Sequence, residues 1–399
     1  MMARLAALSQ ITEEPGTITR RSYTPAMRQA NELAAGWMRE AGMVVRQDAA
    51  GNICGRSEGL QPGPAVLFAS HLDTVKNAGA YDGTLGVVAG IEAVQALHEA
   101  GLTPPCAVEV AGFSDEEGIR FGATYLGSRA LAGTWDPAWC SIRDADGVSL
   151  GEAMSAFELD PERAGEAERD PLAFRACYEV HIEQGPVLER ANASCGIVTS
   201  IAAAKRWTLT VQGEAGHAGT VPMALRRDAL VAAAELILET DRYVKSLPPG
   251  PTATIGRIEA LPGAANCIPG CVRMTLDLRA PDDELLAQAE AELFGRLHAA
   301  ARSRGAALFS DCFYSSPARL CAGDPRARIA QAVRALTGRE ILLTSGAGHD
   351  SAALATRWPI AMAFIRCKGG RSHRPQESIT AEDAAAAAQV LLSVLESYR

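Results

Sequence analysis

Between Thr24 and Gly42 the apolar residues Met27, Ala30, Leu33, Ala34, Trp37 and Met38 recur every three or four positions, which predicts one helix with a single buried face. Thr24 as N-cap and Pro25 in the first turn would start it, and Gly42 would stop it. Residues 44–46 and 53–56 flank Ala50-Gly51-Asn52 and read as a hairpin. Residues 65–69 are continuously apolar, the pattern of a strand covered on both faces. A helical stripe follows at Val87, Val88, Ile91, Val94 and Leu97, and a second apolar strand spans 107–113. Residues 178–184 alternate as a strand does, which would put His181 and Glu183 on one face.

Strand, helix and strand in alternation imply an α/β fold, with a mainly parallel sheet flanked by helices. From about residue 205 the rhythm changes. Stretches 207–211, 252–258 and 272–278 read as antiparallel-type strands, with helices at 223–247 and 282–304. This predicts an inserted α+β sandwich over 205–315, serving dimerisation or as a lid. The catalytic domain would comprise 1–204 and 316–399, where 326–336, 341–343, 360–365 and 380–398 return to the first rhythm. Residues 133–172, richer in Asp, Pro and Gly, carry no recognisable chemistry.

Composition narrows the class. A chain of 399 residues is long for one core, in keeping with two units. Its net charge of -9 argues against nucleic acid or an anionic membrane as partner and favours a small molecule. No apolar run approaches the roughly 20 residues of a spanning helix, and Met1-Met2-Ala3-Arg4 opens no signal core, so a cytoplasmic protein is expected. The 10 cysteines are scattered as reduced, buried thiols would be. Cys267 and Cys271 lack the second pair that a zinc ribbon needs.

The chemistry gathers at strand ends. Strand 65–69 leads into His71-Leu72-Asp73 and then Asp82-Gly83, and strand 107–113 runs into Ser114-Asp115-Glu116-Glu117-Gly118. Of seven histidines, His98 and His298 sit within predicted helices, whereas His71, His181, His217, His349 and His373 lie in polar or Gly-containing contexts. Imidazoles and carboxylates without thiolates suit a borderline divalent ion. Five such ligands with one bridging carboxylate would hold two ions roughly 3.5–4 Å apart. Zinc or manganese is expected, and cobalt or nickel would also tolerate the set.

His71-x-Asp73, Asp82-Gly83, Glu116-Glu117-Gly118, His181-Ile182-Glu183-Gln184-Gly185, Gly216-His217-Ala218-Gly219-Thr220, Asn266-x-Ile268-Pro269-Gly270 and Ser372-His373 occur in that order. The set resembles the amidase, hydantoinase and carbamoylase branch of the M20 peptidase family, over nearly the whole chain. The resemblance implies His71 and His181 on one metal, Glu117 and His373 on the other, and Asp82 bridging both. Asp73 would orient the His71 imidazole, and Glu116 would be the catalytic base. His217 would reach a developing oxyanion; Gln184 and Asn266 would contact substrate, and Arg279 would clamp its carboxylate. In Gly346-Ala347-Gly348-His349-Asp350, Gly348 would offer a backbone amide, while His349 or Asp350 would shape the pocket or cap a helix. The implied partner is a second copy of the chain, and the implied substrate is a ureido acid. Allantoate, hydrolysed to ureidoglycine, ammonia and carbon dioxide, is the favoured substrate on overall similarity. The alternative is an N-carbamoyl-L-amino acid or N-carbamoyl-beta-alanine. An aminoacylase or dipeptidase would favour an acidic residue where His181 stands.

Overall fold

The Thr24 hydroxyl accepts from the Met27 N–H, and Pro25 opens the helix that the apolar spacing predicts. The computed structural model describes residues Met1–Arg399. Its helices are α1 (Met2–Ser9), α2 (Pro25–Glu40), α3 (Thr84–Glu99), α4 (Leu126–Leu131), α5 (Leu150–Ala156), α6 (Val187–Arg190), α7 (Ala229–Ser246), α8 (Asp283–Ser303), α9 (Gly323–Thr337), α10 (Asp350–Leu354) and α11 (Ala381–Glu396). The first six strands are β1 (Val44–Gln47), β2 (Ile53–Ser57), β3 (Gln61–His71), β4 (Cys106–Phe113), β5 (Phe174–Ile182) and β6 (Cys195–Ile201). They are followed by β7 (Ala203–Gln212), β8 (Gly216–His217), β9 (Thr252–Leu261), β10 (Cys267–Ile268), β11 (Cys271–Ala280), β12 (Ala307–Ser316), β13 (Arg319–Leu320), β14 (Leu342–Ser345) and β15 (Ile360–Ile365).

Two units emerge. One comprises Met1–Thr199, Cys321–Leu343 and Gly348–Arg399; the other comprises Ser200–Leu320 and Thr344–Ala347. The large sheet runs β1-β2-β4-β3-β5-β15-β6-β13, with β14 also on β6. Its centre is parallel: β4 with β3, β3 with β5, and β5 with β15. The β1–β2 hairpin, the β2–β4 pair and β6 against β15 are antiparallel, so the sheet is mixed rather than mainly parallel. The predicted hairpin itself implies such an edge, because a short turn joins only antiparallel strands. β4 is buried along its whole length, as is β3 from Ala65 onward, matching their continuous apolar runs. α3 lies against β3, β4, β5 and α11, which accounts for a helix buried on nearly every face. The alanines of α11 permit that close approach, and its start is fixed by reciprocal capping between Thr380 and Asp383.

The second unit is a four-stranded antiparallel sheet, β12-β7-β11-β9, packed against α7 and α8. Two expectations change here. The helix expected from residue 223 begins at Ala229, because the Asp228 carboxylate caps it on the Leu230 and Val231 N–H groups; Met223–Leu225 forms a separate 3-10 turn. Edge strand β12 was not evident from the pattern, since most of its residues are exposed and give no alternation.

Candidate active site

β3, β4, β5 and β15 are parallel, so their C-terminal ends reach one edge of the sheet, where α/β folds place ligands. β3 ends on His71, and His181 is the penultimate residue of its neighbour β5; the two imidazoles lie 5.8 Å apart between ring centroids. Phe113 pairs with His71, so the loop after β4 brings Glu116 and Glu117 to the same edge. His373 arrives from the chain after β15, with a backbone φ of 57°. Gln184, at φ 56°, is likewise in the left-handed region, and such non-glycine positions cluster at functional sites.

Asp82 stands at the centre. Its Oδ1 lies 3.1 Å from His181 Nε2 and 3.5 Å from His71 Nε2, while its Oδ2 lies 3.4 Å from His373 Nε2. His373 Nε2 is also 3.4 Å from Glu117 Oε1. Three sets of possible ligand atoms lie within 4.8 Å of one another: His71/Asp82/His181, Asp82/Glu117/His373 and His71/Glu116/Glu117. The second shares Asp82 with the first, the arrangement a bridging carboxylate requires.

The donor set fits a pair of cations. His71 Nδ1 is 3.0 Å from the Asp73 carbonyl oxygen and His181 Nδ1 is 3.0 Å from that of Ile182. Each neutral ring would therefore hold its proton on Nδ1 and turn the Nε2 lone pair towards Asp82. A lone pair facing a carboxylate calls for a positive charge between them. Burial alone would lower the His71 pKa, yet the Asp73 and Asp82 carboxylates hold it well above the ordinary imidazole range. Burial raises Glu117 to about 8 and pushes Glu116 well above the usual carboxylate range. Divalent charge would keep such buried acids ionised.

Asp73 does more than stand behind His71. Its Oδ1 accepts from the Glu116 N–H at 3.0 Å and its Oδ2 from the Glu117 N–H at 3.1 Å. Both neighbouring glutamates are thus held through their backbone. Their side chains then diverge: Glu117 meets His373, whereas Glu116 is buried with a carboxylate that no protein group pairs. Gly83 completes the cradle. At φ 67°, a Cβ here would fall 2.4 Å from the His71 ring.

Glu377 lies outside the motifs, and the contacts that Ser372 and Gln184 make to Asp82 were not evident from them. Glu377 Oε1 accepts from the N–H groups of Tyr81 at 2.7 Å and Asp82 at 3.0 Å, holding the central carboxylate's backbone from nearly 300 residues away in sequence. Ser372 donates to Asp82 Oδ2 and to Glu377. Gln184 also donates to Asp82 Oδ2, at 2.8 Å. Glu183, expected beside His181 on a strand face, lies beyond the end of β5 instead. Its carboxylate accepts from the Val187 and Leu188 N–H groups and caps α6. The only advance sign of Glu377 was its place four residues after His373.

Within Gly348-His349-Asp350, Gly348 is exposed, and a Cβ there would fall 1.8 Å from the Tyr125 hydroxyl. The buried His349 ring meets that of His181 edge-on at 4.6 Å between centroids. Asp350 is fully buried and accepts from the Ser128 hydroxyl at 2.5 Å.

The second unit holds the other expected residues. His217 on β8 pairs with Cys267 on β10, and the Ala218 N–H donates to the Asn266 carbonyl, so the exposed His217 and Asn266 lie side by side on one small two-stranded antiparallel ribbon. His217 Nδ1 accepts from the Gly219 N–H at 3.0 Å, which leaves the ring proton of the neutral form on Nε2, ready to donate. Arg279 on β11 forks onto Asp277 at 2.8 and 2.9 Å, donates to the Gly346 carbonyl, and shares Asp277 with Arg206.

Comparison with known proteins bears directly on this geometry. The family described as Peptidase family M20/M25/M40 matches residues 67–397. An N-carbamoyl-L-amino acid amidohydrolase of Geobacillus stearothermophilus is 42% identical over 391 residues, covering 97% of this chain and 95% of that protein. Allantoate deiminase 1 of Glycine max is 36% identical over 429 residues, covering 99% of this chain and 88% of its own. The crystal structure of a hydantoinase/carbamoylase family amidase from Burkholderia ambifaria superposes with a TM-score of 0.91 at 35% identity, covering 100% of this chain and 96% of that one.

Proposed function

This chain belongs to the M20 peptidase family, in its hydantoinase/carbamoylase branch, and is a metal-dependent hydrolase; from that premise we propose that it cleaves the C–N bond of a ureido acid, an N-carbamoyl-L-amino acid. The reaction consumes one water and yields the free amino acid, ammonia and carbon dioxide. The observation that carries the substrate is the 42% identity, over nearly the whole of both chains, to a protein of that activity. Allantoate, favoured by sequence motifs alone, becomes the second reading, supported by the 36% identity to an allantoate deiminase.

His71, His181, Glu117 and His373, with Asp82 between them, would hold two divalent ions, zinc or manganese. Bound there, the ions would polarise the ureido carbonyl and acidify the attacking water. Glu116 takes the water's proton on its unpaired carboxylate and delivers it to the leaving nitrogen. Asp73 positions that base through the Glu116 N–H. Gln184 holds Asp82 and offers its amide to the ureido group. His217 donates from Nε2 to the developing oxyanion, and Asn266 on the same two-stranded ribbon contacts substrate. Arg279 exchanges Asp277 for the substrate carboxylate, which its planar fork fits equally well. The Gly348 N–H binds a substrate oxygen. The unit containing β7–β12 pairs two subunits, which light scattering would reveal as a dimer. No helix of the structure is long and apolar enough to cross a membrane.

Purified, metal-loaded protein assayed for ammonia release decides the substrate. N-carbamoyl-L-amino acids should be turned over with higher kcat/KM than N-carbamoyl-beta-alanine or allantoate. Release from allantoate alone would establish the second reading. Faster cleavage of N-acetyl amino acids than of any ureido acid would overturn both.

A further inference from the structure

Arg20 is among the largest fully buried side chains of the protein, at 1% exposure. Its Nε donates to the Leu72 carbonyl at 2.6 Å. Its Nη1 donates at 2.9 Å to the carbonyl of Leu8, in the last turn of α1, and at 2.9 Å to that of Ile11. Three backbone carbonyls accept from the guanidinium, and no carboxylate does. Burying a charge in this way is unfavourable and lowers the Arg20 pKa to about 10, a fall that the nearby Asp73 charge opposes. An apolar side chain of similar volume would pack α1 at least as well. The cation therefore calls for a reason beyond packing.

Its backbone meets the same turn. The Arg20 N–H donates to the Thr74 hydroxyl, and the Thr74 N–H donates to the Arg20 carbonyl, each at 2.9 Å. The Leu72 carbonyl and the Thr74 N–H belong to the two peptide groups that flank Asp73. Arg20 holds both, one with its side chain and the other with its own carbonyl. Residues beside it extend the strap. The Asn77 N–H donates to the Thr19 hydroxyl at 3.0 Å, the Ala78 N–H to the Ile18 carbonyl at 2.8 Å, and the Ser22 hydroxyl to Asp115 at 3.0 Å.

We infer that Arg20 is a positioning residue for the hydrolytic site. By fixing both peptide groups around Asp73 it sets the direction of the carboxylate that accepts from the Glu116 and Glu117 N–H groups. Its influence on the chemistry passes through Asp73, so the inference rests on the reading of Glu116 as base and Glu117 as ligand. Thr74 completes the hold by accepting the Arg20 N–H.

Hydrogen exchange read by mass spectrometry on the full-length, metal-loaded protein tests this without reference to turnover. Arg20→Lys keeps the charge and loses the fork. Thr74→Val is nearly isosteric, removes the acceptor of the Arg20 N–H, and keeps the test open if Arg20→Lys fails to fold. In each variant residues 114–118 should exchange about tenfold faster or more, while β4 stays within about twofold of the parent. Each should also lower kcat/KM by about tenfold or more on whichever ureido acid the parent turns over. In an Asp73→Asn background the same substitutions should change kcat/KM by no more than about twofold, because the group they act through is altered already. Parent-like exchange at 114–118, an equal rise in β4, or the same loss of kcat/KM in both backgrounds would overturn the inference. A parent inactive on every ureido acid would instead overturn the functional reading, and the exchange result would still decide whether Arg20 holds this turn.

Discussion

Asp73 Oδ1 accepts a hydrogen bond from the Glu116 N–H at 3.0 Å, tying the residue after β3 to the loop after β4. The same carboxylate holds the Glu117 N–H, so one side chain fixes the backbone of both the proposed base and the neighbouring proposed ligand. An asparagine has only one acceptor and must turn an NH₂ towards the other N–H. Asp73→Asn should therefore lower kcat/KM by about 10–100-fold, the usual effect of removing a group that supports a metal ligand. Steady-state kinetics on the variant at saturating metal would check this.

Glu116→Gln keeps the shape of the side chain and removes its ability to take a proton. Turnover should fall by on the order of 10²–10⁴-fold, while elemental analysis finds the same metal content as in the parent. Parent-like activity in this variant would rule out Glu116 as the base.

Ions bound by buried carboxylates and imidazoles bind only the folded chain, so they add to its stability. Metal at 100 times its dissociation constant contributes about 2.7 kcal/mol. Dialysis against a chelator should abolish activity and lower the midpoint of thermal unfolding. Adding back zinc or manganese should restore both, and the better of the two metals should be apparent from the recovered rate.

Gly83→Ala sets a Cβ against the His71 ring and strains a backbone at φ 67°. The ring must move, so the variant should lose metal on dialysis under conditions where the parent retains it. Metal content after dialysis provides the measurement.

Acid should weaken the second unit through Asp277. Burial raises its pKa, but hydrogen bonds from Arg279 and Arg206 outweigh that and hold it below the ordinary carboxylate range. A depressed pKa means that the contribution to stability is complete above the unfolded value, about 3.9, and is lost as pH falls through the folded one. Asp277→Asn should accordingly lose less stability than the parent between about pH 4 and pH 2, as followed by urea denaturation.

Much of this architecture was legible because local forces decide it. The apolar run before His71, the Thr24-Pro25 helix start and the strand that leads to Glu116 depend on burial and capping within a few residues. His71, Asp82, Glu117, His181 and His373 stood out because imidazoles and carboxylates at strand ends or beside glycines serve packing poorly. Glu183 misled for the same local reason: alternation predicted a continuing strand, but β5 ends at Ile182 and the carboxylate caps α6. β12 escaped notice because an exposed edge strand has no buried face to show.

By itself, then, the sequence determined which residue types could hold metal and the strand ends that carry them. The tertiary structure decided how they meet. The parallel register that pairs His71 with Phe113 sets the acidic loop beside Asp73, and Glu377 supports Asp82 from nearly 300 residues away. Such contacts follow from the register of strands distant in sequence, which no local pattern of apolar and polar residues encodes.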